Sequence, residues 1–254
     1  MVKIVVFDSG LGSLSIIKAI QKISKSEIIY FADQENFPYG EKSQAQLSKI
    51  IKNSIKLLDK EFSPNFIVVA SNTPSLMLNL TSKKIIDVKP PLKEALKLSK
   101  TKQIGILATK SAIVSNGLTQ YIKENNFSKK LKIFKINGSD LVDLVESGKF
   151  ISNKKYCNKI IKKILEQILF QNNIDTITLS STHLLFLKSL LKKQFPKINF
   201  VDPSEIVAKK ILLMIKNNQS KKNSLKIFAT GDTKIFELKL NKLGIKNKVN
   251  LIPF

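Results

Sequence analysis

Two short apolar runs, Ile67-Val68-Val69-Ala70 and Ile177-Thr178-Leu179-Ser180, each give way at once to a small or polar triplet at the head of a helical pattern: Ser71-Asn72-Thr73 and Ser181-Thr182-His183. A buried strand that runs straight into a helix belongs to an open α/β sheet. In such sheets ligands are held beyond the carboxyl ends of the strands, where backbone amides and helix N-termini converge. The device occurs once in each half of the chain. Two such ends facing each other would flank one small molecule, a geometry suited to adding a proton to one face of a carbon and removing one from the other. Taken singly, the same residues also suit plain helix N-caps.

The rest of the pattern agrees with a parallel α/β architecture, because Ile-, Val- and Phe-rich runs alternate with longer segments of helical period. Strands are predicted at 3–7, 28–31, 66–70, 103–108, 132–136, 176–179, 199–201 and 226–229, and helices at 13–23, 43–62, 74–80, 111–125, 139–147, 154–171, 185–194 and 204–217. Val88-Lys89-Pro90-Pro91 interrupts both helix and sheet pairing and reads as an interdomain connection, with a return crossing near Asp202-Pro203. The expected division is a first α/β domain over 1–90, completed by 204–254, and a second over 91–203.

Several residues are candidates for chemistry. Asp8, at the end of the first predicted strand and followed by Ser9-Gly10-Leu11-Gly12-Ser13, reads either as a carboxylate beside a ligand or as an N-cap. The glycine spacing is too short for a dinucleotide fingerprint, and no acidic residue stands at a convincing second-strand position to hold a ribose. Pro38-Tyr39-Gly40 reads as a tight turn carrying an exposed aromatic. Glu146 closes an amphipathic helix before Ser147-Gly148. His183 is the single histidine and the group best placed to titrate near neutrality. With Asp8 and Ser71 or Ser181 it could form a nucleophile, base and orienter set, although the strained Gly-x-Ser-x-Gly elbow of many hydrolases is absent. Cys157 is the one cysteine and reads as a partly buried helix residue, so neither an internal disulfide nor a cysteine-cluster metal site is expected.

In order along the chain, FDSGLGS (7–13), YFADQENFPYG (30–40), VVASNTPS (68–75), IGILAT (104–109), LVDLVESG (141–148), LSSTHLL (179–185), VDPSE (201–205) and ATGD (229–232) resemble the glutamate racemases of the cofactor-independent aspartate/glutamate racemase family over essentially the full length. The resemblance implies two flavodoxin-like α/β domains with parallel sheets and pseudo-twofold symmetry, an acidic amino acid site in the cleft between them, and no cofactor or metal. It implies that positions 71 and 181 hold the places of two catalytic cysteines, and both are serine here. It further implies that Asp8 and His183 support those two positions, that Glu146 is the remaining acidic site residue, and that Ser9, Pro38, Tyr39, Gly40, Asn72, Thr73 and Thr182 contact the substrate. Ser13 and Ser180 are smaller departures that would narrow the site. Family members are often dimers, but no feature of this sequence fixes an interface.

The serines change the expected chemistry. A cysteine thiol titrates near ~8.5, an alkanol several units higher, and each unit is worth about 1.4 kcal/mol. Ordinary two-thiol racemisation is therefore not expected. Four readings follow: a slow racemase homologue, a protein that binds glutamate or aspartate without turnover, a serine-dependent hydrolase or lyase, or an active racemase into which serines were introduced by design.

The expected setting is the cytoplasm, since no run of about eighteen apolar residues marks a membrane span and residues 1–8 read as a strand. The net charge of +24 ordinarily points to nucleic acid. Here every one of the 43 basic residues is lysine, and the arginine that makes the commonest base-specific contact is missing. The lysines are spread along predicted helices (Lys42, Lys49, Lys52, Lys56, Lys60, then Lys159, Lys162, Lys163) and form no compact tract. Specific nucleic acid recognition is not expected. Fluorescence anisotropy with a labelled duplex should detect only weak binding that disappears near physiological salt; tight binding that persists in high salt would contradict this.

Overall fold

The computed structural model describes residues 2–78, 80, 82–125, 131–215 and 218–253. The described strands are β1 (Lys3–Asp8), β2 (Glu27–Ala32), β3 (Phe66–Val69), β4 (Ile85–Asp87), β5 (Gln103–Ala108), β6 (Lys132–Asn137), β7 (Thr176–Leu179), β8 (Asn199–Val201), β9 (Ser224–Ala229) and β10 (Val249–Leu251). The α-helices are α1 (Ser13–Ile23), α2 (Gln44–Phe62), α3 (Asn72–Met77), α4 (Leu92–Leu98), α5 (Lys110–Val114), α6 (Asn116–Glu124), α7 (Ser139–Glu146), α8 (Lys149–Ser152), α9 (Lys154–Gln171), α10 (Lys188–Gln194), α11 (Ser204–Ile215) and α12 (Thr233–Lys242). The chain divides into two compact units, Met1–Val88 with Ser204–Phe254, and Lys89–Pro203.

The first unit carries a parallel six-stranded sheet in the order β10-β9-β2-β1-β3-β4. Alternate residues Val5, Phe7, Ile29, Phe31, Ile67 and Val69 join Leu47, Ile51 and Leu58 of α2 in one core cluster. The other parity, Ile4, Val6, Ile28, Tyr30 and Val68, is equally buried. Burial on both faces is why these strands read as unbroken apolar runs. Ser43 starts α2 with a capping box: its hydroxyl accepts from the Gln46 amide while the Gln46 side chain accepts from the Ser43 amide.

The second unit carries a parallel four-stranded sheet in the order β6-β5-β7-β8. Cys157, expected to be partly buried, is fully enclosed on α9 beside Ile161 and Leu165, which share its helical stripe. Gly148 sits between α7 and α8 with φ of 73°, a left-handed conformation that glycine adopts without a Cβ penalty.

Some predicted boundaries shift. The helix expected over 111–125 is two helices, because Ser115 ends α5 and its hydroxyl then caps α6 by accepting from the Leu118 amide at 3.1 Å. The helix expected from 185 starts as a 3-10 segment, Thr182–Leu187, and continues as α10. The helix expected over 74–80 runs over Asn72–Met77 instead. Asn79, and Lys216 and Asn217 of the helix expected over 204–217, lie outside the described residues, as does Met1 of the expected first strand. Among the described residues no helix is long and apolar enough to cross a membrane.

Asp175, just before β7, organises one end of the second unit. Its carboxylate accepts from the Ser99 and Thr176 hydroxyls at 2.7 and 2.9 Å and from the Lys100 and Thr101 amides at 2.7 and 2.9 Å. Burial pushes its pKa up, but these hydrogen bonds outweigh burial and hold it below its ordinary 3.8. Asp175→Ala is expected to cost about 1–2 kcal/mol at neutral pH. A carboxyl whose folded pKa is lowered stabilises the fold above its unfolded pKa and loses that contribution as pH falls through the folded value, so urea melts of parent and variant should converge below about pH 4.

Candidate functional site

In the first unit the site grows from three adjacent strand ends. Asp8 pairs with Ala32 and Phe7 with Val69, so Asp8, Asp33 and Ser71 arrive at one edge of the sheet. Asp8 is buried, and its carboxylate accepts from the Ser9 amide at 2.7 Å. It does not cap α1, whose N-cap position is Gly12. The loop after it is pinned at two carbonyls, Ser9 by the Gln34 side-chain amide at 2.6 Å and Gly10 by the Tyr30 hydroxyl at 2.7 Å. Ser13, in the first turn of α1, is buried and its hydroxyl has no hydrogen-bond partner.

At the end of β3, Ser71 holds the N-cap position of α3 with φ −139° and ψ 129°, and its side chain makes no capping bond. The Ser75 hydroxyl instead donates to the Ser71 carbonyl at 2.8 Å and accepts from the Val88 amide at 3.0 Å. The Asn72 side-chain amide donates to the Val88 carbonyl at 2.8 Å, leaving its buried Oδ1 without a partner. Thr73 is buried beside it.

Tyr39 overturns an expectation. The turn at Pro38-Tyr39-Gly40, entered through a cis Phe37-Pro38 bond, does not carry an exposed aromatic. The Tyr39 ring lies in the core cluster with Val5, Phe7 and Phe31, and its hydroxyl donates to Asp33 Oδ2 at 2.9 Å. Burial pushes the Tyr39 phenol well above its ordinary value, and the Asp33 and Asp8 carboxylates add to the shift. The turn residues announced a reversal of the chain, but nothing in their sequence told which side of it faces the core.

In the second unit, β7 ends in a backbone closely like that after β3. Ser181 has φ −144° and ψ 132°, and its hydroxyl likewise makes no capping bond. The helix-cap reading is thus overturned at both serines. Ser180 donates its amide to the Leu107 carbonyl at 2.8 Å, while its hydroxyl pairs with that of Thr178 at 2.9 Å. Thr182 and His183 are buried in the 3-10 segment that packs on α7. Glu146, the last residue of α7, meets His183 there, with Oε1 at 2.7 Å from Nε2 and both side chains more than nine-tenths buried.

Thus the first unit gathers Asp8, Ser9, Ser71, Asn72 and Thr73 on adjoining strand ends with Tyr39 joined through Asp33, and the second gathers Ser181, Thr182, His183 and Glu146. Asp33 and Thr230 were missed by the sequence reading. Asp33 does follow the second strand directly, but its carboxylate already accepts from Asn36, Tyr39 and Thr230. Its signal was an acid directly after the apolar run Ile28–Ala32, with a tyrosine six residues on.

No family model matches the chain. A glutamate racemase of Leptospira borgpetersenii serovar Hardjo-bovis (strain JB197) is 30% identical over 260 residues, covering 97% of this chain and 98% of that one. One from Buchnera aphidicola subsp. Schizaphis graminum is 35% identical over 231 residues, covering 87% and 88%. The chain belongs to the glutamate racemase family. The fold agrees: a crystal structure of a glutamate racemase isoform from Bacillus anthracis superposes with a TM-score of 0.84 at 26% identity, covering 99% of this chain and 97% of that one. Within this family member, the His183–Glu146 pair is a buried charge-assisted contact if the ring is protonated, and such bonds are worth about 1.5–3 kcal/mol. A double-mutant cycle with His183→Ala and Glu146→Ala, read by denaturant unfolding, should give a coupling energy of about 1–3 kcal/mol; additive losses would show that the two side chains do not act together.

Proposed function

We propose that this chain binds glutamate or a closely related acidic amino acid at the ends of its strands and does not racemise it by the two-thiol route. The observation that carries the reading is the pair Ser71 and Ser181: two buried serines at matching strand ends, on nearly the same backbone, with neither hydroxyl spent on capping a helix. Around them the polar residues that suit a dicarboxylate with an ammonium group are kept, including Asp8, Ser9, Asn72, Thr73, Thr182 and the His183–Glu146 pair. The chain's membership of the glutamate racemase family supports glutamate as the first ligand to try.

Proton abstraction from an amino-acid α-carbon demands a strong base activated by its surroundings. A serine hydroxyl, several pKa units above a thiol, raises the barrier by about 1.4 kcal/mol for each unit. Asp8 and His183 could offset part of that difference at most. What remains is a set of donors and acceptors that can hold a ligand.

Either enantiomer of glutamate or of aspartate at millimolar concentration should raise the melting temperature, because a ligand at ~100 Kd stabilises the folded state by about 2.7 kcal/mol. No shift with any of the four would end the binding reading. Proton NMR in deuterium oxide with circular dichroism should detect no exchange or inversion by the parent protein. Racemisation should appear in the Ser71→Cys, Ser181→Cys double variant, and each single variant should leave inversion slow. Rapid racemisation by the parent would refute the energetic argument against serine.

A further inference from the structure

Asp33 is fully buried just past the end of β2, and its bonds join several parts of this edge. Its amide donates to the Asp8 carbonyl at 2.9 Å. Its carboxylate accepts from the Tyr39 hydroxyl at 2.9 Å, from the Thr230 hydroxyl at 3.3 Å, and from the Asn36 side-chain amide at 2.8 and 3.0 Å. The neighbouring residues tighten the same knot, since the Gln34 side chain donates to the Ser9 carbonyl and the Glu35 amide donates to the Thr230 hydroxyl.

With its ring in the core and its hydroxyl on Asp33, Tyr39 can meet a ligand only through its main chain. The position of that main chain then depends on where Asp33 holds the hydroxyl. We propose that Asp33 is a positioning residue for the ligand site, its amide tying it to the end of β1 and its buried carboxylate fixing the turn of Pro38, Tyr39 and Gly40 against the end of β9. The role rests on the reading that this edge binds an acidic amino acid.

The acceptor chemistry accounts for an acid at this position. An ionised carboxylate offers only acceptors and here receives three side-chain donors, whereas asparagine would set its own NH2 against the Asn36 NH2 or the Tyr39 hydroxyl. Burial, with the Glu35 carboxylate adding to it, holds the Asp33 pKa above its ordinary value, and the hydrogen bonds from Asn36, Tyr39 and Thr230 offset only part of that rise.

Three variants test the role: Tyr39→Phe, which keeps the ring and removes the hydroxyl, Asp33→Asn, and Thr230→Val. Ile51→Val, in the same core cluster but taking no part in these bonds, controls for lost stability alone. Amide hydrogen exchange at residues 39–42 of the ligand-free protein should quicken about tenfold or more in Tyr39→Phe and Asp33→Asn, with exchange in β1 and β3 unchanged. Glutamate affinity measured by calorimetry should fall about tenfold in each, and the double variant should fall no further because both act through one bond. Thr230→Val should show a smaller change in the same direction, and Ile51→Val none in either measurement. If Asp33→Asn does not fold, Tyr39→Phe and Thr230→Val carry the test. Unchanged exchange at 39–42, or unchanged affinity in a folded Tyr39→Phe, overturns the positioning role while leaving ligand binding intact. If the parent binds neither enantiomer of glutamate or aspartate, the binding reading fails and the role of Asp33 falls with it.

Discussion

The site of the first unit depends on strands that end level with one another. Both faces of its sheet are apolar, so the in-and-out pattern of side chains cannot by itself fix the register of β1 against its neighbours. Polar residues at the two ends do so. At one end the Lys3 amide donates to the Asn65 side chain and the Lys3 ammonium to the Phe62 carbonyl. At the other, Asp8 stands in the last pair with β2, and Asp33 and Ser71 follow the last ladder pairs of their strands. A one-residue slip of β2 would part the buried Asp33 carboxylate from the Thr230 hydroxyl at the end of β9, and a buried group that loses a hydrogen-bond partner costs about 1–3 kcal/mol. The register that satisfies the acids is therefore the one that lines up the polar groups at the strand ends.

Scaffold and chemistry separate clearly in this molecule. The backbone after β3 and the backbone after β7 take nearly the same angles, −139°, 129° and −144°, 132°, and each delivers a buried serine followed by buried polar residues. Nothing in that geometry distinguishes a hydroxyl from a thiol. The fold therefore does not determine the acidity of the atom it delivers there.

Much of this could be read from the residues, and the exceptions have physical causes. The strands at 103–108, 176–179 and 199–201 and the helices at 13–23 and 154–171 coincide with their predicted limits because long periodic patterns and clear apolar runs define them. β4 and β10 escaped notice as three-residue edge strands embedded in lysine- and asparagine-rich sequence. α12 was also missed, since Ile235 and Leu238 stay exposed and blur its apolar stripe. At the site, motif positions were legible, but the direction of Tyr39 was not. The hub role of Asp33 depends on Thr230, 197 residues away, a contact that no local pattern encodes.

That distance bears on how the protein is made. β2 pairs on one side with β1, close in sequence, and on the other with β9, which is translated nearly 200 residues later. At ribosomal rates of about 5–20 residues per second, the edge of Glu27–Ala32 has no partner strand for on the order of ten seconds or more. This six-residue edge is rich in Ile, Tyr and Phe, the kind of edge that recruits foreign strands. Residues 89–203 form a continuous unit and can fold during that interval, whereas the first unit must wait for its closing strand. Newly made chains are therefore most exposed to aggregation, and most dependent on chaperones, between the emergence of β2 and the arrival of β9.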